Sequence, residues 1–217
     1  MSTTTQPDRA TVGRAFMLVG ALGLVIQLAI YALTQQSMVA LTTAMPFVVF
    51  FVIGTALFVH ANLGADPWDV FHLGVAKQLG ISFGTVIILT GAAVLLLWIP
   101  IRQMPGLGTV SNVIVLGLAA DATLAVLPPL ESLVARSALL VVAIVLNAIA
   151  TGMYIGAGFG PGPRDGLMTG LHARTGWSLR GIRTAIELSV LLIGCLLGGK
   201  FGVGTVIYAL SIGPLIQ

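Results

Sequence analysis

FGTVIILTGAAVLLLWIPI, residues 83–101, runs for nineteen positions without one ionisable side chain. As a helix rising 1.5 Å per residue it would be about 28 Å long, close to the roughly 30 Å of a bilayer's hydrocarbon core. Backbone placed in lipid must satisfy its own hydrogen bonds, which selects the helix. Six more apolar runs of comparable length flank it, at 15–33, 41–59, 107–127, 137–157, 178–198 and 201–217. The expectation is an all-α fold, a polytopic integral membrane bundle of about seven membrane helices. Only 8% of the 217 residues are charged and 57% are hydrophobic, against roughly 25% charged in an ordinary soluble domain. A polar tail over 1–13 precedes a single transmembrane domain over 14–217. The tail, MSTTTQPDRATVGR, leads into its apolar run without a small-x-small cleavage site, so an uncleaved first helix is expected. Arg9 and Arg14 favour a cytoplasmic start.

The net charge of +3 comes from ten Lys and Arg scattered singly. No basic stripe with interleaved aromatics forms, which excludes nucleic acid as a partner. The one cysteine, Cys195, lies in an apolar run and can form neither an internal disulfide nor a thiolate cluster. No H-E-x-x-H, no G-x-S-x-G and no Cys/His nucleophile pair is present, so no enzyme, metal or cofactor is expected.

Shifted by 96 positions (Gly160 against Gly64), residues 60–121 align with 156–217 without a gap. Among the identical pairs are Gly64/Gly160, Pro67/Pro163, Asp69/Asp165, Gly74/Gly170, Gly80/Gly176, Ser82/Ser178 and the run from Gly108/Gly204 to Val110/Val206. Such clustered self-similarity is the mark of an internal duplication, with copies over about 45–121 and 141–217. Each copy reads as a membrane helix, a Gly/Pro-rich break, a short polar helix, a second membrane helix, a G-x-G-T turn and a third. The short segments, PWDVFHLGVAKQL from Pro67 and PRDGLMTGLHART from Pro163, have 13 residues. At about 20 Å they are too short to cross unaided and are expected to be broken or re-entrant helices. Three crossings per copy would invert one copy relative to the other. Positive charges do not choose the orientation. Arg9, Arg14, Lys77, Arg136 and Lys200 on one side balance Arg102, Arg164, Arg174, Arg180 and Arg183 on the other.

The breaks read HANLGADPWD and GAGFGPGPRD. Pro67 and Pro163 suit a first helical turn, Asp66 suits an N-cap, and Asp69 and Asp165 would complement the helix dipole. Capping alone accounts for the paired aspartates. The functional reading starts from the same residues, because broken helices at matching positions of two repeats are how transporters place polar groups at bilayer depth. Its candidate solute-binding residues are His60, Asn62, Asp66, Trp68, Asp69 and His72 in the first copy and Arg164, Asp165 and His172 in the second. Arg183 and Glu187, one helical turn apart, are added as an ion pair within an apolar helix. His60 near its helix end also suits a packing role. Asp121, with no local cation, either faces a cavity or pairs across helices. The G-x-G-T turns lack the Lys and the βα setting of a phosphate loop and read as tight turns with a Thr near a helix start.

NLGADPWD and GLGTV, together with the paired breaks, resemble the bacterial YczE/YitT type of multi-pass membrane protein over roughly residues 45–217. That resemblance implies a plasma-membrane protein of several spans and carries over no catalytic residue. The second copy replaces Trp68 by Arg164 and His72 by Met168, so any site would be asymmetric. The function expected is a secondary transporter or exporter of a small polar metabolite. The competing reading is a non-transporting membrane scaffold for a biosynthetic or regulatory partner. The expected partners are the lipid bilayer and a small-molecule solute, with a homodimer open because 217 residues are few to enclose a pathway.

Overall fold

The computed structural model describes residues 53–127, 130–157 and 161–216. The expected span at 15–33, the first part of that at 41–59, and Arg9 and Arg14 lie outside the described residues. Among the described residues all regular structure is helical: α1 over residues 53–61, α2 Pro67–Leu79, α3 Phe83–Ile101, α4 Leu107–Val126, α5 Leu133–Ala157, α6 Pro163–Thr175, α7 Leu179–Leu196 and α8 Val203–Ile216. The starts of α2, α3 and α4 recur at α6, α7 and α8, each 96 positions on (163 − 67, 179 − 83, 203 − 107).

Local chemistry sets these boundaries. Asp66 caps α2 by accepting from the Asp69 N–H at 2.7 Å, with Pro67 behind it. Gly80 ends α2 at φ 65°, donating to the Ala76 carbonyl, and Gly176 ends α6 at φ 69°, donating to His172. Ser82 and Ser178 cap α3 and α7 through the N–H groups of Thr85 and Gly181. In both G-x-G-T turns the Thr hydroxyl closes back on the first Gly, accepting from Gly106 N–H and Gly202 N–H at 3.3 Å. Both turns are therefore the tight helix starts their sequence implies. Asp121, near the end of α4, takes up the start of α3, accepting from Ser82 Oγ at 2.5 Å and Gly84 N–H at 2.7 Å. Of the two alternatives for Asp121, pairing across helices is the one realised.

α2 folds back on α3, so Trp68 reaches Val94 and Trp98 while His72 meets Phe83. Beyond that hairpin the short helices exchange partners: α2 lies along α7, and α6 along α3. Val70 packs on Gly194 as Gly166 packs on Trp98, and Gly74 meets Leu197 as Gly170 meets Ile101. Each of these pairs maps onto the other by adding 96 to the first member and subtracting 96 from the second. α2 and α7 therefore run in parallel, as do α3 and α6. Because α3 leads from the outer end of α2 to the flank of α6, α2 and α6 point outward to opposite ends. Their first turns face the interior.

Small residues permit the close approaches: a Cβ on Gly117 would meet Ile88, and one on Gly91 would meet Val113. The main core joins Phe58 of α1, Val70 of α2, Leu140, Ile144 and Ala148 of α5, and Tyr208 and Ile212 of α8. Large apolar side chains also stand on the outside, with Leu96 65%, Ile99 69% and Leu210 73% exposed. A soluble surface rarely exposes so many of them. Among the described residues, Phe83–Ile101 and Leu133–Thr151 are long and apolar enough to cross a membrane, and Asn112–Val126 and Val203–Ile212 are shorter apolar helices.

Candidate functional site

One buried cluster joins Trp68 from the first turn of α2, Leu167 from the first turns of α6, and Val94 and Trp98 of α3. The first turns of the two short helices thus both reach the same stretch of α3. Around that meeting point stand Asp66, Asp69 and His72 of α2, and Arg164 and Asp165 of α6. Arg164 Nε lies 4.0 Å from Asp165 Oδ1, and the guanidinium acts electrostatically on Asp66, Asp69, His72, Glu187 and Tyr208. Tyr208 of α8, 8% exposed, meets Phe58 edge-on at 5.2 Å. It joins the cluster from 142 positions beyond Asp66 (208 − 66) and has no motif to announce it. Its match in the first copy is Asn112 (208 − 96).

Two polar atoms in this cluster are buried without a hydrogen-bond partner: Trp68 Nε1 and His72 Nδ1. His72 Nδ1 stands 3.5 Å from Asp69 Oδ1, too far for a formed bond. Its ring is held between Trp68, Phe71 and Phe83 at centroid distances of 6.3, 5.9 and 6.0 Å. α2 is too short to span a membrane, and its carboxyls are set by the protein around them. Burial pushes Asp66 up to about 7, with the neighbouring Asp69 adding to the rise. Burial pushes Asp69 up to about 7 as well, against the pull of Arg164. His72 goes the other way, burial lowering it to about 4.

The remaining predicted residues lie apart from this cluster. Asn62, at φ 54°, ends α1, where Arg136 donates to the carbonyls of Ala61 at 2.7 Å and Asn62 at 2.5 Å. Lys200 Nζ donates to Asn62 Oδ1 at 2.6 Å. Two cations thus sit where the α1 dipole is negative, and Asn62 serves a helix end. His60 lies on the last turn of α1, half-buried. His172 is exposed near the outer end of α6, its Nδ1 2.6 Å from the Trp177 carbonyl. Arg183 and Glu187 form the expected pair at 3.0 Å on α7, and Glu187 links it to the cluster through the field of Arg164. Each break is also held by a G-x-G-T turn distant in sequence: Thr109 Oγ1 donates to the Pro161 carbonyl at 2.9 Å, and Gly204 N–H donates to the Leu63 carbonyl at 2.9 Å. At Gly64, φ 114°, a Cβ would collide with Gly202 and Thr205 Oγ1, so only glycine fits that contact. Among the described residues no three His, Cys, Asp or Glu side chains form a metal-ligand set.

Among the described residues, all-helical structure, large apolar side chains on the outside, helices of membrane-crossing length and a largely buried polar cluster fit a helical membrane protein. The chain belongs to the family described as a family of unknown function (DUF6198), whose model matches residues 38–217. It is 31% identical over 156 residues to the uncharacterized membrane protein YczE of Bacillus subtilis, covering 71% of this chain and 73% of that one. An uncharacterized protein of Haemophilus influenzae is 40% identical over 165 residues, 76% of each chain. The uncharacterized protein YyaS of Bacillus subtilis is 24% identical over 169 residues, 76% of this chain and 84% of that one. The YczE relationship agrees with the resemblance carried by NLGADPWD and GLGTV. No solved structure matches the chain.

Proposed function

We propose that the chain is a duplicated, seven-span transporter of the bacterial plasma membrane, carrying a small polar solute at the junction of its two half-helices. The observation that carries this reading is that the first turns of both short helices gather on one stretch of α3, with Asp66 and Asp69 of one within the electrostatic reach of Arg164 of the other. The shared 96-residue offset of helix starts and the reciprocal contacts of Val70/Gly194 and Gly166/Trp98 support the duplication. With three crossings per copy the halves are inverted, and the half-helices enter from opposite faces to meet at bilayer depth. Their N-terminal dipoles, the Arg164 guanidinium and the free Trp68 Nε1 favour an anionic group on the solute, while Asp69 favours a cationic one. A zwitterion satisfies both. Alternating access follows when one half rocks against the other around this point.

Proteoliposomes holding the full chain, offered radiolabelled amino acids, small carboxylates and amines, test the reading. Uptake above protein-free vesicles is expected for at least one class. Losing one charge-assisted contact of about 1.5–3 kcal/mol, in Asp69→Asn or Arg164→Gln, would cut the initial rate roughly tenfold to a hundredfold. Undiminished flux in both variants would take the junction out of the mechanism. Absence of flux together with a stable complex with another membrane protein would favour the scaffold reading.

A further inference from the structure

We infer that Asp69 and His72 are the proton-binding element of this site, taking up one proton between them from water on one side of the membrane and releasing it on the other. The inference rests on the transport reading and names its coupling ion. Asp69 is 6% exposed, and an ionised carboxylate so placed needs either a full set of donors or a proton. Its neighbour Asp66 already spends Oδ1 on capping the helix. The nearest ionisable partner is the His72 ring, whose Nδ1 stands off at 3.5 Å without a hydrogen bond. A neutral imidazole carries one acceptor nitrogen. When the Asp69 carboxylate gains a proton, its new O–H can donate to Nδ1. The gap then closes to the roughly 2.6–3.0 Å of a formed bond, and the buried negative charge is removed in the same step. Loss of the proton reverses both changes.

Among the described residues, these charged and titratable groups act around the pair. Asp66 shares its helix, α6 contributes Arg164 and Asp165, α7 contributes Glu187, and α8 contributes Tyr208. From α3 the ring meets the phenyl group of Phe83. Of these, Arg164 acts directly on Asp69, favouring its ionised form, so a solute that engages Arg164 weakens that pull and promotes proton uptake. The second half cannot supply an equivalent pair: Asp165 lies beside Arg164 at 4.0 Å, and the residue matching His72 is Met168. The asymmetry therefore assigns one proton per cycle to this pair. The direction in which burial moves Asp69 agrees with a group that exchanges its proton near neutral pH.

Infrared difference spectra of the full chain in lipid nanodiscs, scanned through neutral pH, read the carboxylic-acid carbonyl and imidazole bands directly. Expected is a carboxyl titrating near pH 7, with an imidazole band that shifts in step. Because Asp66 is also pushed up to about 7, the spectra are read in an Asp66→Asn background, where Asp69→Asn should remove the carboxyl signal and leave the imidazole band indifferent to pH. Arg164→Gln, an independent variant, should move the midpoint upward by about one unit. A neutral-range carboxyl band that survives Asp69→Asn in the Asp66→Asn background, or the lack of any such band in that background alone, overturns the inference. Proteoliposome flux separates it from the transport reading. Uptake accelerated by an imposed pH gradient supports coupling, whereas uptake indifferent to the gradient overturns coupling and leaves transport standing. Titration without flux of any solute class overturns transport, and coupling with it.

Discussion

At Gly166 a single methyl group would run into the indole of Trp98, whereas at the matching contact Val70 is accommodated because the partner is Gly194. The two contacts fill a similar space in opposite ways, one with a large residue on the long helix and one with a large residue on the short helix. Gly166→Val should therefore lose about 1–3 kcal/mol through overpacking. Combining it with Trp98→Gly, which copies the Val70/Gly194 pair, should cost less than the two single changes added together, by about 0.5–3 kcal/mol. Thermal unfolding in nanodiscs measures all three variants, and strict additivity would show that the contact is not shared. Residue-level roles were legible where partners are close in sequence. The Asp66 cap and the Arg183–Glu187 pair follow from spacings of three and four. Tyr208, Arg136 and Lys200 went unread, because their partners come from distant helices and no local pattern marks them.

The short helices are the elements the sequence defined best, because proline and glycine fix both ends: Pro67 and Gly80 for α2, Pro163 and Gly176 for α6. Among the described residues the apolar runs fall on helices whose ends differ from the expected bounds. The run at 178–198 gives Leu179–Leu196, and that at 201–217 gives Val203–Ile216. Hydropathy has no term for caps. At this scale the carboxylate of Asp121 stands out, since it holds the first turn of α3 from the end of α4. Asp121→Ala should cost about 0.5–2 kcal/mol of stability, the usual loss of an N-cap acceptor. It should leave solute flux per folded molecule unchanged, as the cap lies at the outer end of α3, away from the half-helix junction. A fall in flux greater than the fall in folded protein would contradict that separation.

For the molecule as a whole, the buried carboxyls set a sign for the pH dependence of stability. Asp66 and Asp69 bind protons more tightly in the fold, at about 7, than at the ordinary value of 3.8. The folded chain therefore holds more protons than the unfolded chain between those limits. Their contribution is fully present below about pH 4 and is lost as pH rises through about 7. The melting temperature in nanodiscs should fall over that window, and the fall should flatten in an Asp66→Asn/Asp69→Asn variant. An equally steep fall in that variant would assign it to other groups. By itself the sequence determined the helical class, the apolar runs, the 96-residue self-similarity and the two breaks, because each is written in local composition or in periodicity along the chain. Only the tertiary structure decided that α2 packs on α7 and α6 on α3, that Trp68 and Leu167 share one cluster, and that Asn62 and His172 stand outside it. Those outcomes depend on which helix faces fit together. Side-chain volumes at Val70/Gly194 and Gly166/Trp98 set that fit across separations of 124 positions (194 − 70) and 68 positions (166 − 98), far beyond the reach of any local pattern.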